Sequence, residues 1–268
     1  MNTHRARVIA LIAIIFPLAA GVLLGAAVQP AHADTIAAPA GAAPSCGLTT
    51  DDLATVTAAQ EQGLLPELAA RRALLAKTIT CAKTDAQALQ ANLNALNVGD
   101  GAVALQSQLS GKLDDAITYY NLELGKANSA GIAGTEQVAK EVLAWRAGTY
   151  APLAAQVANF TLWSQNQALF STGAARLQSM ESAVNFVEQA APNNELQSDL
   201  ADAQSLMHAA TNENEQATNA LLAGAPSDQS LALIQQSLQS LSDAYQKFFD
   251  MSTILQSLLS TNPQADSQ

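Results

Sequence analysis

An all-α fold, an elongated antiparallel helical bundle with coiled-coil-like heptad seams, is predicted by three observations. Apolar residues recur at alternating steps of three and four over long stretches. Glycine and proline gather in short breaks between those stretches. No run alternates apolar with polar residues over the length of a strand.

Residues 1–33 read as an export signal. Arg5 and Arg7 precede an apolar stretch from Val8 to Val28, and Ala31 and Ala33 supply the small-residue cleavage pattern before Asp34. That stretch is 21 residues long, against ~7–15 for the core of a cleaved signal and ~20 for a membrane span. An uncleaved anchor over residues 8–28 is therefore the alternative, although Pro17 and Gly21 interrupt it and favour cleavage. In either case the arginines stay inside and the rest is exported, which gives a secreted or cell-envelope location. Residues 34–45, with two prolines and no periodicity, form an Ala/Pro linker.

The helical bundle is expected over residues 46–262. Thr49 and Asp52 have the spacing of a capping box, opening a helix that runs to Gln62 and stops at Gly63. Pro66 suits the first turn of the next helix, where Leu65, Leu68, Arg72, Leu75, Ile79, Ala82, Ala86, Leu89, Leu93 and Leu96 form a seam. Asn97 to Gly101 is a turn, followed by a stripe of Leu109, Leu113, Ile117, Tyr120, Leu124 and Ala127. Thr135 is placed to cap a helix carrying Val138, Val142 and Trp145, which should stop or bend near Gly148, Thr149 and Pro152.

A long helix follows from Leu153 to about Gln189, with apolar residues on more than one stripe, as in a helix packed on two sides. Pro192, Asn193 and Asn194 open another, with Leu196, Leu200, Ala203, Met207, Ala210, Asn214, Ala217 and Leu221 in its seam; a buried Asn there fixes register. After the turn at Gly224 to Ser227 the final seam reads Leu231, Ile234, Leu238, Leu241, Tyr245, Phe248, Ser252, Leu255 and Leu259. Pro263 begins a polar tail over residues 263–268.

Cys46 and Cys81 are the only cysteines, and an even count in an oxidising compartment reads as one disulfide. Helix length agrees. The rise of ~22 Å from Pro66 to Cys81 matches ~18 Å from Thr50 to Gln62, so an antiparallel hairpin returns Cys46 to Cys81.

Charge and composition narrow the function classes. The 268 residues are 49% hydrophobic and 13% charged, too apolar for general disorder, and the net charge of −11 opposes nucleic acid. His208 is the single histidine after residue 33, which leaves no His-based triad or two-His metal site. Paired acids such as Asp51/Asp52 and Asp114/Asp115 are sequence neighbours that diverge by ~100° on a helix. Catalytic residues, a metal and a cofactor are accordingly not expected. Asn159-Phe160-Thr161 matches a glycosylation acceptor but lies mid-helix among core aromatics.

Glu195, Asp199 and Asp202 share one helix face, flanking the groove beside Leu196, Leu200 and Ala203. Arg71 and Arg72 head a basic stretch without acids between Glu67 and Asp85. These two regions form a candidate interaction face, expected to dock within the molecule. The resulting expectation is a non-enzymatic exported protein with a structural, spacer or protein-interaction role. It would bind a protein partner or itself, and meet membrane only through residues 8–28. Two alternatives are a carrier of a lipid or other apolar ligand, using Phe160, Trp163, Phe170, Tyr245, Phe248 and Phe249, and a membrane-tethered, sensor-like ectodomain.

Overall fold

A computed structural model describes residues 49–189 and 193–260. The expected export signal, its expected cleavage residues Ala31, Ala33 and Asp34, the expected linker, Cys46 and the polar tail all lie outside the described residues. Among the described residues the fold is all-α, with no strand. The helices are α1 (Thr50–Gln62), α2 (Leu64–Asn94), α3 (Asp100–Ser129), α4 (Ile132–Trp145), a π-helical turn (Arg146–Tyr150), α5 (Ala151–Glu188), α6 (Asn194–Leu222) and α7 (Ser227–Ser260). The region expected as one bundle divides into two compact units. One comprises residues up to 95 with 99–154, the other residues 96–98 with those from 155 onward.

In the first unit, the Thr49 hydroxyl accepts the Asp52 N–H at 3.3 Å while the Asp52 carboxylate accepts the Thr49 N–H at 2.8 Å, completing the capping box. Gly63 ends α1 and caps α2 with a φ of 114°, a conformation that penalises a Cβ. The two helices form an antiparallel hairpin, latched where Lys77 Nζ meets Asp52 Oδ2 at 2.8 Å. Leu75, Ile79, Ala82, Ala86 and Leu93 of the predicted seam are buried, whereas Leu65 is 80% exposed because the helix has only just begun there.

α3 runs antiparallel to α2. Gln90 Nε2 donates to Asp114 Oδ1 at 2.7 Å near one end, and Arg72 Nε to the Ala130 carbonyl at 2.6 Å near the other. Gly131, not Thr135, caps α4. Thr135 lies one turn inside, where its N–H reaches the Gly131 carbonyl and its hydroxyl the Ile132 carbonyl, leaving nothing to cap. The expected bend near Gly148 to Pro152 is instead the π turn, in which the Ala151 N–H donates to the Arg146 carbonyl five residues back. Pro152 has no N–H of its own to give. The wider turn therefore carries the chain past it without a break.

In the second unit, α5, α6 and α7 run up, down and up. Asn193 accepts the Glu195 and Leu196 N–H groups and starts α6. α6 ends in a Schellman motif: Gly224, at φ 65°, donates to the Leu221 carbonyl and Ala225 to that of Ala220. The α6 seam is largely as predicted, with Leu196, Ala203, Met207, Ala210, Ala217 and Leu221 buried.

The α7 seam is half as predicted. Ile234, Leu241 and Phe248 are buried, but the alternate positions are Ser230, Ser237, Ala244 and Met251 rather than Leu231, Leu238, Tyr245 and Ser252. Small residues at three of those four positions let the helices approach closely. The larger Leu and Tyr side chains flank the contact.

Gly173 of α5 belongs to the same close packing, since a Cβ there would meet Leu241 Cδ1 and Met207 Cε at 3.1 Å. Many serine and threonine hydroxyls along these helices, among them Thr55, Thr84, Ser179, Ser182 and Thr253, donate to the carbonyl four residues earlier.

Candidate functional site

The densest chemistry of the first unit is built where α3 faces α4 and the π turn. Tyr119 and Tyr120 come from α3, Trp145 from the last position of α4, and Arg146 and Tyr150 from the turn itself. Trp145 stacks on Tyr119 at 4.0 Å and 19°, lies near-parallel to Tyr150 at 6.2 Å, and receives Tyr120 edge-on at 5.3 Å. Arg146 donates to the Tyr120 hydroxyl at 3.0 Å, with its guanidinium 5.2 Å from the Tyr150 ring centre. Burial pushes the Tyr150 phenol up to about 12 and that of the fully buried Tyr120 higher still, against the opposing charge of Arg146. Burial also holds the nearby Asp85 carboxyl above its ordinary range, again opposed by Arg146.

One turn forward along α3 and one turn back along α4 stand two carboxylates, Glu123 and Glu141. The Glu123 side chain is 3% exposed; its Oε1 accepts Lys126 Nζ at 2.6 Å, and its Oε2 is buried without a partner. Glu141 Oε2 lies 3.9 Å from the same ammonium. Burial raises the Tyr119 phenol to about 12, and the fields of Glu123 and Glu141 add to the rise.

Sequence reasoning missed Glu123. The predicted α3 stripe runs through Ile117 and Leu124, whereas the buried positions in this part of the helix are Ala116, Tyr120, Glu123 and Ala127. An acid at a three-four position, three residues before a lysine, was the available signal.

The predicted interaction face is used locally. Arg71 pairs with Glu67 at 2.6 Å, and Arg72 caps the carbonyls of Ser129 and Ala130 at the end of α3. In the second unit Lys247 joins Asp199 at 2.8 Å and Asp202 at 2.9 Å, and both carboxylates hold its ammonium well above the ordinary range. Glu195 is exposed in the first turn of α6. Cys81, on α2 just past Lys77, is not a free thiol.

No family model, curated protein or solved structure matches this chain.

Other expected residues fall as follows. Asn159 is buried, and its amide donates to the Ser227 carbonyl at 2.6 Å and Ser230 Oγ at 3.0 Å, which commits it to packing. His208 is exposed, with Asn212 3.0 Å from its Nδ1. The six aromatics considered as a ligand lining do not form one group. Phe160 and Trp163 are 5.7 Å apart and Tyr245 and Phe248 5.5 Å apart, but Phe249 is 67% exposed. Trp163 Nε1 and Asn166 Nδ2, one turn apart on α5, are buried without partners. Among the described residues no helix is long and apolar enough to cross a membrane, and no group of three or more His, Cys, Asp or Glu could hold a metal.

Proposed function

We propose that this chain is an exported, non-enzymatic helical protein that acts by binding another protein, with residues 1–33 as its export signal and Cys46–Cys81 as a covalent staple. The observation that carries the reading is the exposure of Phe186 at 73% and Phe249 at 67%. The chain has six phenylalanines, and the core of this low-aromatic unit would gain from each one. Two left almost fully in solvent are the anchors that interfaces favour.

The staple is supported by the Lys77–Asp52 latch. Cys81 lies four residues after Lys77, and Cys46 six residues before Asp52, the residue that Lys77 holds.

A photo-cross-linker placed at 186 or 249 in the producing cells tests the binding role. The expected result is a discrete adduct, to another protein or to a second copy, absent when the probe sits at exposed Gln239. Absence of a discrete adduct from both positions overturns it.

A second reading, carriage of a small apolar molecule bearing an acceptor oxygen, draws on the unpartnered Trp163 and Asn166 donors. Organic extraction of the native protein followed by mass spectrometry tests it. A stoichiometric co-purifying molecule supports it, and its absence removes it.

A further inference from the structure

The ion pair between Glu123 and Lys126 is chemically incomplete. A carboxylate buried to this degree ordinarily has both oxygens engaged. Here an ammonium, a point donor, satisfies Oε1 and leaves Oε2 with nothing. Glu141 adds a second carboxylate to the same ammonium, so the group of three carries one uncompensated negative charge. The Lys126 side chain is 56% exposed, so the place occupied by its head group opens to solvent. The Tyr119–Trp145 stack is one helical turn away on both sides, Tyr119 four residues before Glu123 and Trp145 four after Glu141, with Tyr119 only partly buried.

A planar guanidinium suits these features better than the resident lysine. Its fork engages both oxygens of one carboxylate, and its face stacks on aromatic rings. We propose that Glu123, Glu141 and the Tyr119–Trp145 stack form a docking point for an arginine side chain of a protein partner, held closed in the free protein by Lys126. The identity of the guanidinium's owner as a protein rests on the reading above; the site itself does not.

The probe is the peptide acetyl-Gly-Arg-Gly-amide, with its neutral citrulline counterpart as control. Trp145 fluorescence in a Trp163→Phe background is the readout. The arginine peptide is expected to give a saturable change and the citrulline peptide none. Lys126→Ala removes the tethered competitor and should tighten binding at least 5-fold, by about the ratio a released local ammonium commands. Glu123→Gln should weaken it at least 10-fold, about one charge-assisted contact, while Glu215→Gln, which changes net charge equally at an exposed site elsewhere, should leave it unchanged.

Three results overturn the proposal: no saturable change in either the parent or Lys126→Ala, equal effects from both peptides, or equal weakening by Glu215→Gln and Glu123→Gln. If Glu123→Gln fails to fold by circular dichroism, the Lys126→Ala arm decides alone. Peptide binding without adducts at 186 or 249 keeps the site and removes the partner-binding reading; adducts without peptide binding do the reverse.

Discussion

Gln167 and Asn214 exchange two hydrogen bonds across α5 and α6, each amide donating to the other's carbonyl oxygen, at 3.2 and 3.1 Å. The pair sits where an apolar contact would also fit, so its contribution is directional. Replacing Asn214 with Leu removes a partner from both Gln167 groups and should cost about 1–2 kcal/mol in chemical denaturation. The double variant Gln167→Leu/Asn214→Leu should recover much of that loss, with a coupling energy of about 0.5–2 kcal/mol in the cycle. Strictly additive losses would show that the two amides do not act together.

Glycines on these helices should respond in opposite ways. Gly111 and Gly125 lie inside α3 with open space where a Cβ would go, so Ala at either should raise stability by about 0.5–1 kcal/mol. At Gly173 the same helix-propensity gain meets Leu241 and Met207 at 3.1 Å. Their ends are flexible, so Gly173→Ala should be near neutral, while the bulkier Gly173→Val should lose about 1–3 kcal/mol through overpacking. Thermal melts of the four variants check the ordering.

Two carboxylates of the first unit should titrate with opposite consequences. Lys77 and the Thr49 N–H hold Asp52 below its ordinary value of 3.8. Its contribution to stability is present above pH 3.8 and is lost as pH falls through the lowered folded value. Burial raises Asp85, so its contribution is complete below pH 3.8 and is lost as pH rises through the raised folded value. Relative to the parent, Asp52→Asn should therefore be destabilised most at neutral pH and converge with it in acid. Asp85→Asn should gain on the parent as pH rises from 3.8 through the raised folded value, and keep a constant advantage above it. Melting temperatures measured from pH 2 to 7 decide both signs.

The staple has a direct test. Intact mass of the native protein should begin at Asp34 and increase by two hydrogens on reduction, and peptide mapping should link Cys46 to Cys81. A closed loop of about 35 residues corresponds to about 3.8 kcal/mol in the chain-entropy account, so reduction should lower the melting temperature by several degrees. Full-length protein in the membrane fraction would instead make residues 8–28 an anchor.

Sequence pattern revealed helix number and ends well because caps and breakers act locally: Thr49, Gly63, Asn193 and Gly224 each do their work within one turn. It failed where the outcome depends on a neighbouring helix. The three-four pattern of α7 admits two adjacent phases, and hydrophobicity selected Leu238 and Tyr245 over Ser237 and Ala244; close approach of α5 and α6 reverses that choice. Glu123 is buried at a three-four position of α3 although its polarity argues for solvent, with Lys126 of the same helix holding one of its oxygens. Spacing alone puts Arg72 in a seam, and it is the end of α3 that engages it.

The hydroxyls of Thr55, Thr84, Ser179, Ser182 and Thr253 give their single proton to the preceding turn of their own helix. What each has left to show is lone pairs. Water approaching those turns is therefore oriented hydrogen-first, and these stretches of the exterior act on their surroundings as hydrogen-bond acceptors.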